Sequence, residues 1–181
     1  RIHAKPSKLL PLTLLVKNVS GVHWALAFFT EGQIETTNGN TSGHVIQLSY
    51  VANEGEGWQG HNWDYLNYSN AEINCWYHVI ITRENSSGTI SMYINGKLEA
   101  QNTNATAGTP ITNLNSLFVG THNMNIGYLN GHISGLAIWE SILTSDEVMV
   151  LYNSGLGLNV LFDSNELAGS SLPANLGSYS A

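Results

Sequence analysis

Residues 89–101 read TISMYINGKLEAQ, and the Asn95-Gly96 pair inside this run constrains the chain more than any other feature. Both residues tolerate positive φ, so the pair is the preferred centre of a type I′ hairpin turn, whose twist matches that of the flanking strands. Side-chain alternation agrees. Ile90, Met92 and Ile94 share one face while Ser91 and Tyr93 take the other, and Leu98 and Ala100 are expected to continue the apolar face on the return strand. Just upstream lies WYHVIIT (76–82), which is apolar on both faces. That pattern suits a strand central to a sheet in a two-layer sandwich.

Similar runs recur between turn signals: LTLLVKN, VHWALAFF, HVIQLSYV, SLFVG and GHISGLAIWE each read as a strand. In HVIQLSYV, Val45, Gln47 and Ser49 alternate with Ile46, Leu48 and Tyr50. Only 10% of the 181 residues are charged, against a typical share of about 25%. Asn, Ser, Thr and Gly take that place, and they favour turns over helix interiors. Aromatic and β-branched residues remain plentiful, so the composition is that of an all-β protein and not of a disordered one. The length allows one domain with a sizeable core.

A single helix is expected. Thr144 is its N-cap and Glu147 stands three residues on, the spacing of a capping box; Val148, Leu151 and Tyr152 give the apolar stripe, and Gly155 suits C′. The domain is therefore expected to span 1–155, followed by an extended arm over 156–181. No repeat of fixed period is present.

Charge and cysteine usage narrow the function classes. The formal net charge is −7 with six Lys+Arg and no basic cluster, which argues against a nucleic-acid partner. No apolar run approaches the roughly 18 residues that cross a bilayer, so no membrane insertion is expected. The chain opens on Arg1 without a signal-peptide pattern, as a processed product or a piece of a longer protein would. Cys75 is the only cysteine, so neither an internal disulfide nor a cysteine metal site can form.

The succession WYHVIITRENSSGTISMYINGKLEA, NSLFVGTHN and GYLNGHISGLAIWESILTSDEVMVLYNSG resembles the laminin-G-like, concanavalin A-like domains. Trp76, His78, Tyr93, Asn95, Gly96, Gly120, Gly131, Leu143, Glu147, Leu151, Tyr152 and Gly155 fall where that pattern places them. The resemblance implies an all-β, two-layer antiparallel β-sandwich of jelly-roll type with one short C-terminal α-helix. The strand that usually precedes LTLLVKN is shortened or absent, leaving an edge for a neighbouring subunit or a removed segment to supply. Small variants of this kind, low in Lys and rich in Asn, resemble modules of phage structural proteins. That implies a non-enzymatic role in a larger assembly of protein subunits: a capsid decoration, fibre or tail-associated protein on a virion or other extracellular surface.

Chemistry-bearing patterns are sparse. Glycosidases of this fold carry two or more carboxylates along one strand face, whereas Glu54 and Glu56, the acidic i, i+2 pair, sit among glycines. Six of the histidines considered as ligands (His23, His44, His61, His78, His122 and His132) are scattered singly, and His78 reads as a structural residue. The resemblance leaves calcium open as a cofactor, through Asp64, Asn123 and Asn125 in loop-like stretches, although a hard cation wants more than one carboxylate. The segment GWQGHNWDYLNY is the candidate glycan-binding site. Trp58, Trp63, Tyr65 and Tyr68 offer ring faces, and His61 and Asp64 offer hydrogen bonds to hydroxyls. These aromatics equally suit a core or a subunit interface, because Trp63, Tyr65 and Asn67 alternate as one strand face. A carbohydrate-binding adhesion domain that recognises cell-surface glycans is accordingly the alternative to the structural module.

Overall fold

The computed structural model describes residues 2–4, 12–17, 24–29, 43–53, 62–103, 117–121 and 128–155. Its strands are β1 (Ile2–Ala4), β2 (Leu12–Lys17), β3 (Trp24–Phe29), β4 (His44–Asn53), β5 (Asn62–Ala71), β6 (Trp76–Tyr77), β7 (Val79–Glu84), β8 (Thr89–Ile94), β9 (Lys97–Asn102), β10 (Leu117–Val119) and β11 (Gly131–Ile133). Helix α1 (Ser145–Tyr152) follows. Every ladder is antiparallel. One sheet runs β10-β2-β3-β4-β5, and two three-stranded sheets run β11-β1-β6 and β7-β8-β9. Only His78 separates β6 from β7, so the two smaller sheets are joined through one run of chain.

The sandwich core shows how alternation becomes packing. Leu26 and Phe28 of β3, Ile46, Leu48 and Tyr50 of β4, and Leu66 of β5 meet Tyr77 of β6 and Ile90, Met92 and Ile94 of β8 in one buried cluster. Tyr50 keeps its hydroxyl satisfied inside it, accepting the Asn102 side-chain amide at 2.6 Å. On the far face of β7 and β8, Ile80 and Tyr93 pack with Leu143, Val148 and Leu151, so α1 covers the outside of that sheet. Both faces of β8 are thus buried, and WYHVIIT is divided: Trp76–Tyr77 pairs with β1 and Val79–Glu84 with β8.

The hairpin turn forms as its residues require, with Asn95 at φ 52° and Gly96 at φ 82°. Asn95 also ties down the β6–β7 junction. Its backbone N–H donates to the His78 carbonyl at 2.8 Å, and its side-chain oxygen accepts the His78 N–H at 3.0 Å. This reciprocal pair gives a physical reason for a Trp-x-His strand and a Tyr-x-Asn-Gly turn occurring together. The His78 ring lies 5.9 Å from that of Tyr152 on α1, which seats the helix over the same junction.

Five sequence expectations are corrected, the first being WYHVIIT, which is not one strand central to a sheet but is split into β6 and β7, each at the edge of its sheet among the described strands. The return strand does not keep Leu98 and Ala100 on one face: Met92 pairs with Ala100 but Tyr93 with Leu98, a bulge that leaves Leu98 exposed. The run GHISGLAIWE forms a ladder only over Gly131–Ile133, because β1 opposite it pairs at three residues. Asp64 lies within β5 and not in a loop. The helix closes on Asn153, at φ 46° with its N–H donating to the Met149 carbonyl, and not on Gly155. Its start is as expected: Glu147 N–H donates to Thr144 Oγ1 at 3.3 Å and Thr144 N–H to Glu147 Oε2 at 2.6 Å. Among the described residues no helix is long and apolar enough to cross a membrane.

Candidate functional site

The aromatic segment enters the structure through β5. Trp58 and His61 lie outside the described residues, as do Glu54, Glu56, Asn123, Asn125 and the stretch 156–181. Backbone register sets Trp63 opposite Val51 and Asp64 opposite Tyr50. Tyr65 stands opposite Ser49, and Tyr68 opposite Ile46. Strand side chains alternate sides, so residues three apart point oppositely where no bulge intervenes. Tyr65 and Tyr68 therefore occupy opposite faces of the sheet and do not share a platform. The odd spacing, read against a period of two, is the sequence signal that separates them.

Tyr68 belongs to the core side. It packs against the main cluster, edge-on to Tyr77 with ring centroids 6.0 Å apart. Burial pushes the Tyr68 hydroxyl above its ordinary pKa of 10.0, with the charges of Glu99 and Glu72 adding to the effect and Lys97 opposing it. Tyr77 is also raised, chiefly by burial, while the Glu72 N–H that donates to its oxygen at 2.6 Å acts the other way. Both folded values exceed those of the unfolded chain. The stability conferred by these neutral hydroxyls is therefore whole below about pH 10 and is lost as pH rises through the folded values. Urea midpoints measured at rising alkaline pH are expected to fall, and Tyr68→Phe to flatten part of that fall. An unchanged slope in Tyr68→Phe would contradict the assignment.

Tyr65 shares its face with a polar chain. The fully buried Gln47 donates its amide to Asn67 Oδ1 at 2.8 Å, and Ser49 Oγ donates to Gln47 Oε1 at 3.2 Å. Ala27, Phe29 and Val45 form a third buried cluster, on this face. A half-buried Tyr beside amides already engaged with each other can add a ring face to a ligand, but Gln47 and Asn67 spend hydrogen-bonding capacity within the sheet.

His44, His78 and His132 make ring contacts within the fold. His44 lies 6.0 Å from the Phe28 ring, and His132 stacks on Trp76 at 6.4 Å. Among the described residues no three His, Cys, Asp or Glu side chains gather to hold a metal ion. On the described strands acidic residues fall one to a strand: β5 carries Asp64, β7 Glu84 and β9 Glu99. Glu84 accepts from Ser86 and Ser87, and Glu99 pairs with Lys97 at 3.0 Å.

The feature that sequence reading did not single out as a site is apolar. After β11, Leu136 and Ile138 are exposed (45% and 71%) while Ala137 and Trp139 turn inward, and Ile142 and Met149 add further exposed surface before and on α1. The alternation in GLAIWE carried this signal.

The layered antiparallel sheets and short helix of the described residues are those of a structural or carbohydrate-binding module fold. A family model described as the concanavalin A-like lectin/glucanases superfamily, of laminin G type, matches residues 16–149, and the chain belongs to this family. A search of curated proteins finds no match. Among solved structures, the chain is similar to residues 221–444 of an S-layer domain-containing protein from Clostridium thermocellum ATCC 27405, with 17% identity and a TM-score of 0.38. The match covers 82% of this chain and 65% of that one, and at this level it supports no inference of function.

Proposed function

We propose that the chain is a non-enzymatic structural and interaction module, displayed on a virion as a decoration, fibre or tail-associated element or on another extracellular surface. The observation that carries this reading is the exposure of Leu136, Ile138 and Ile142 in the stretch between β11 and α1, since exposed apolar surface of this kind marks protein contacts. The one-per-strand carboxylates support the non-enzymatic part, because a glycosidase of this fold needs two acids held across one sugar bond. A glycan-binding role is the second reading, favoured by Tyr65 on the polar face of β5.

A glycan array probed with the full chain, with and without EDTA, separates the two. The module reading expects no retained glycan. Binding lost in Trp58→Ala or Trp63→Ala would replace it with a lectin, and loss on EDTA would add calcium to that lectin. Release of free sugar from any arrayed glycan would overturn the non-enzymatic assignment.

A further inference from the structure

Strand β1 lies between β11 and β6, and its register sets three residues in one row: His3 stands opposite His132 on one side and opposite Trp76 on the other. The next row is Ile2 with Ile133 and Tyr77, and Tyr77 belongs to the sandwich core. Successive strand residues alternate faces, so the row of His132, His3 and Trp76 belongs to the outward face. His132 is exposed and Trp76 is 47% exposed, as that placement requires.

The described rings of this row converge. β11 and β6 are two strand spacings apart, about 9–10 Å, yet the His132 and Trp76 ring centroids are 6.4 Å apart, with their planes 26° from parallel. Both rings therefore lean inward over β1, above the position that His3 holds in the ladder. The stack fixes the His132 imidazole where a lone exposed histidine would turn freely. Nothing local in the sequence joins the two histidines, because the register that sets them opposite each other pairs strands from far apart in the chain.

We propose that His3 and His132 form a two-histidine site for a divalent transition-metal ion of the class that prefers imidazole: zinc, nickel or copper. Directly opposed residues hold their Cβ atoms about 4.5–5.5 Å apart. Two imidazoles close that span around one ion, at metal–nitrogen distances of about 2.0–2.1 Å for zinc. Nitrogen ligands select this class over calcium and magnesium, which take oxygen. Two protein ligands leave the other coordination positions to water, so the site is an open one and not a closed structural centre. Bound metal ties β11 to β1 and stabilises the folded chain by mass action. The site uses none of the residues that carry the surface-module reading, so its failure leaves that reading standing.

Calorimetric titration of the full chain with zinc chloride is expected to give one ion per chain. His3→Gln and His132→Gln are each expected to weaken it roughly a hundredfold, the low end of what linking two ligands contributes. Zinc at about a hundred times its Kd is expected to raise Tm by roughly 5–10 °C. Copper(II) is expected to quench part of the tryptophan emission, and Trp76→Phe to remove that part; this readout leaves both histidines in place, so it stands even if a histidine variant folds poorly. No saturable zinc binding would overturn the site, and affinity unchanged by either histidine substitution would reduce it to a single surface imidazole. Displacement of zinc by equimolar calcium would overturn the ligand class. Copper quenching of equal depth in Trp76→Phe would overturn the location.

Discussion

Gly96→Ala is expected to lower the unfolding free energy by about 2–4 kcal/mol, combining left-handed strain with overpacking. The residue sits at φ 82°, and a Cβ built on it would lie 2.8 Å from Met149 Sδ, 2.9 Å from Tyr152 Cδ1 and 3.2 Å from Tyr152 Cβ. Methionine can swing aside, but Tyr152 Cβ is fixed to the helix backbone and cannot. The same substitution at Gly135, also at positive φ but with open space around it, isolates the strain from the contact. Denaturant unfolding of both variants measures the difference. Equal losses would mean that α1 does not seat on the hairpin turn.

Phe28→Ala is expected to cost about 3–5 kcal/mol, the range for emptying a large aromatic site. Phe28 is only 1% exposed and belongs to the cluster that both layers share. Against a total stability of roughly 5–15 kcal/mol, such a loss leaves a small margin. Phe28→Leu, which keeps most of the volume, is expected to lose much less. If urea unfolding showed a cost below about 1 kcal/mol for the alanine variant, the two sheets would not be packed through this residue.

The features legible in sequence are those fixed by neighbours along the chain. Asn95-Gly96 carries its own turn preference, and Thr144 with Glu147 carries its own cap, so both are found where the residues place them. Alternation in HVIQLSYV likewise separates Ile46, Leu48 and Tyr50, which enter the core, from Val45, Gln47 and Ser49, although it does not say which set is inside. What failed depended on partners distant in sequence. The bulge at Met92/Tyr93 adds one residue to the opposite strand, and nothing local to KLEAQ announces it. The extent of β11 is set by β1, more than a hundred residues away in sequence, so a strand-like pattern over GHISGLAIWE yields only three paired residues. The aromatic segment was legible as chemistry but not as geometry. Ring faces suggest a platform, yet the register of β5 against β4 sends Tyr65 and Tyr68 to opposite sides. Asp64 lies in a stretch that looks loop-like in sequence, while its pairing opposite Tyr50 is a property of the sheet.

These corrections bear on function together. Tyr68 is taken into the core, and the stretch after the short β11 leaves Leu136 and Ile138 exposed. They agree with the proposed role as an interaction module.

The most direct test of that claim is residue-resolved amide hydrogen exchange across β7 in the isolated chain. Ile80, opposite Tyr93 in the β7–β8 ladder, is expected to exchange slowly. Val79 and Ile81 on either side are expected to exchange roughly tenfold faster or more, because their amides face away from β8, where among the described residues no strand pairs with β7. Uniform protection along Val79, Ile80 and Ile81 at every protein concentration would contradict the account, since it would show the sheet already complete.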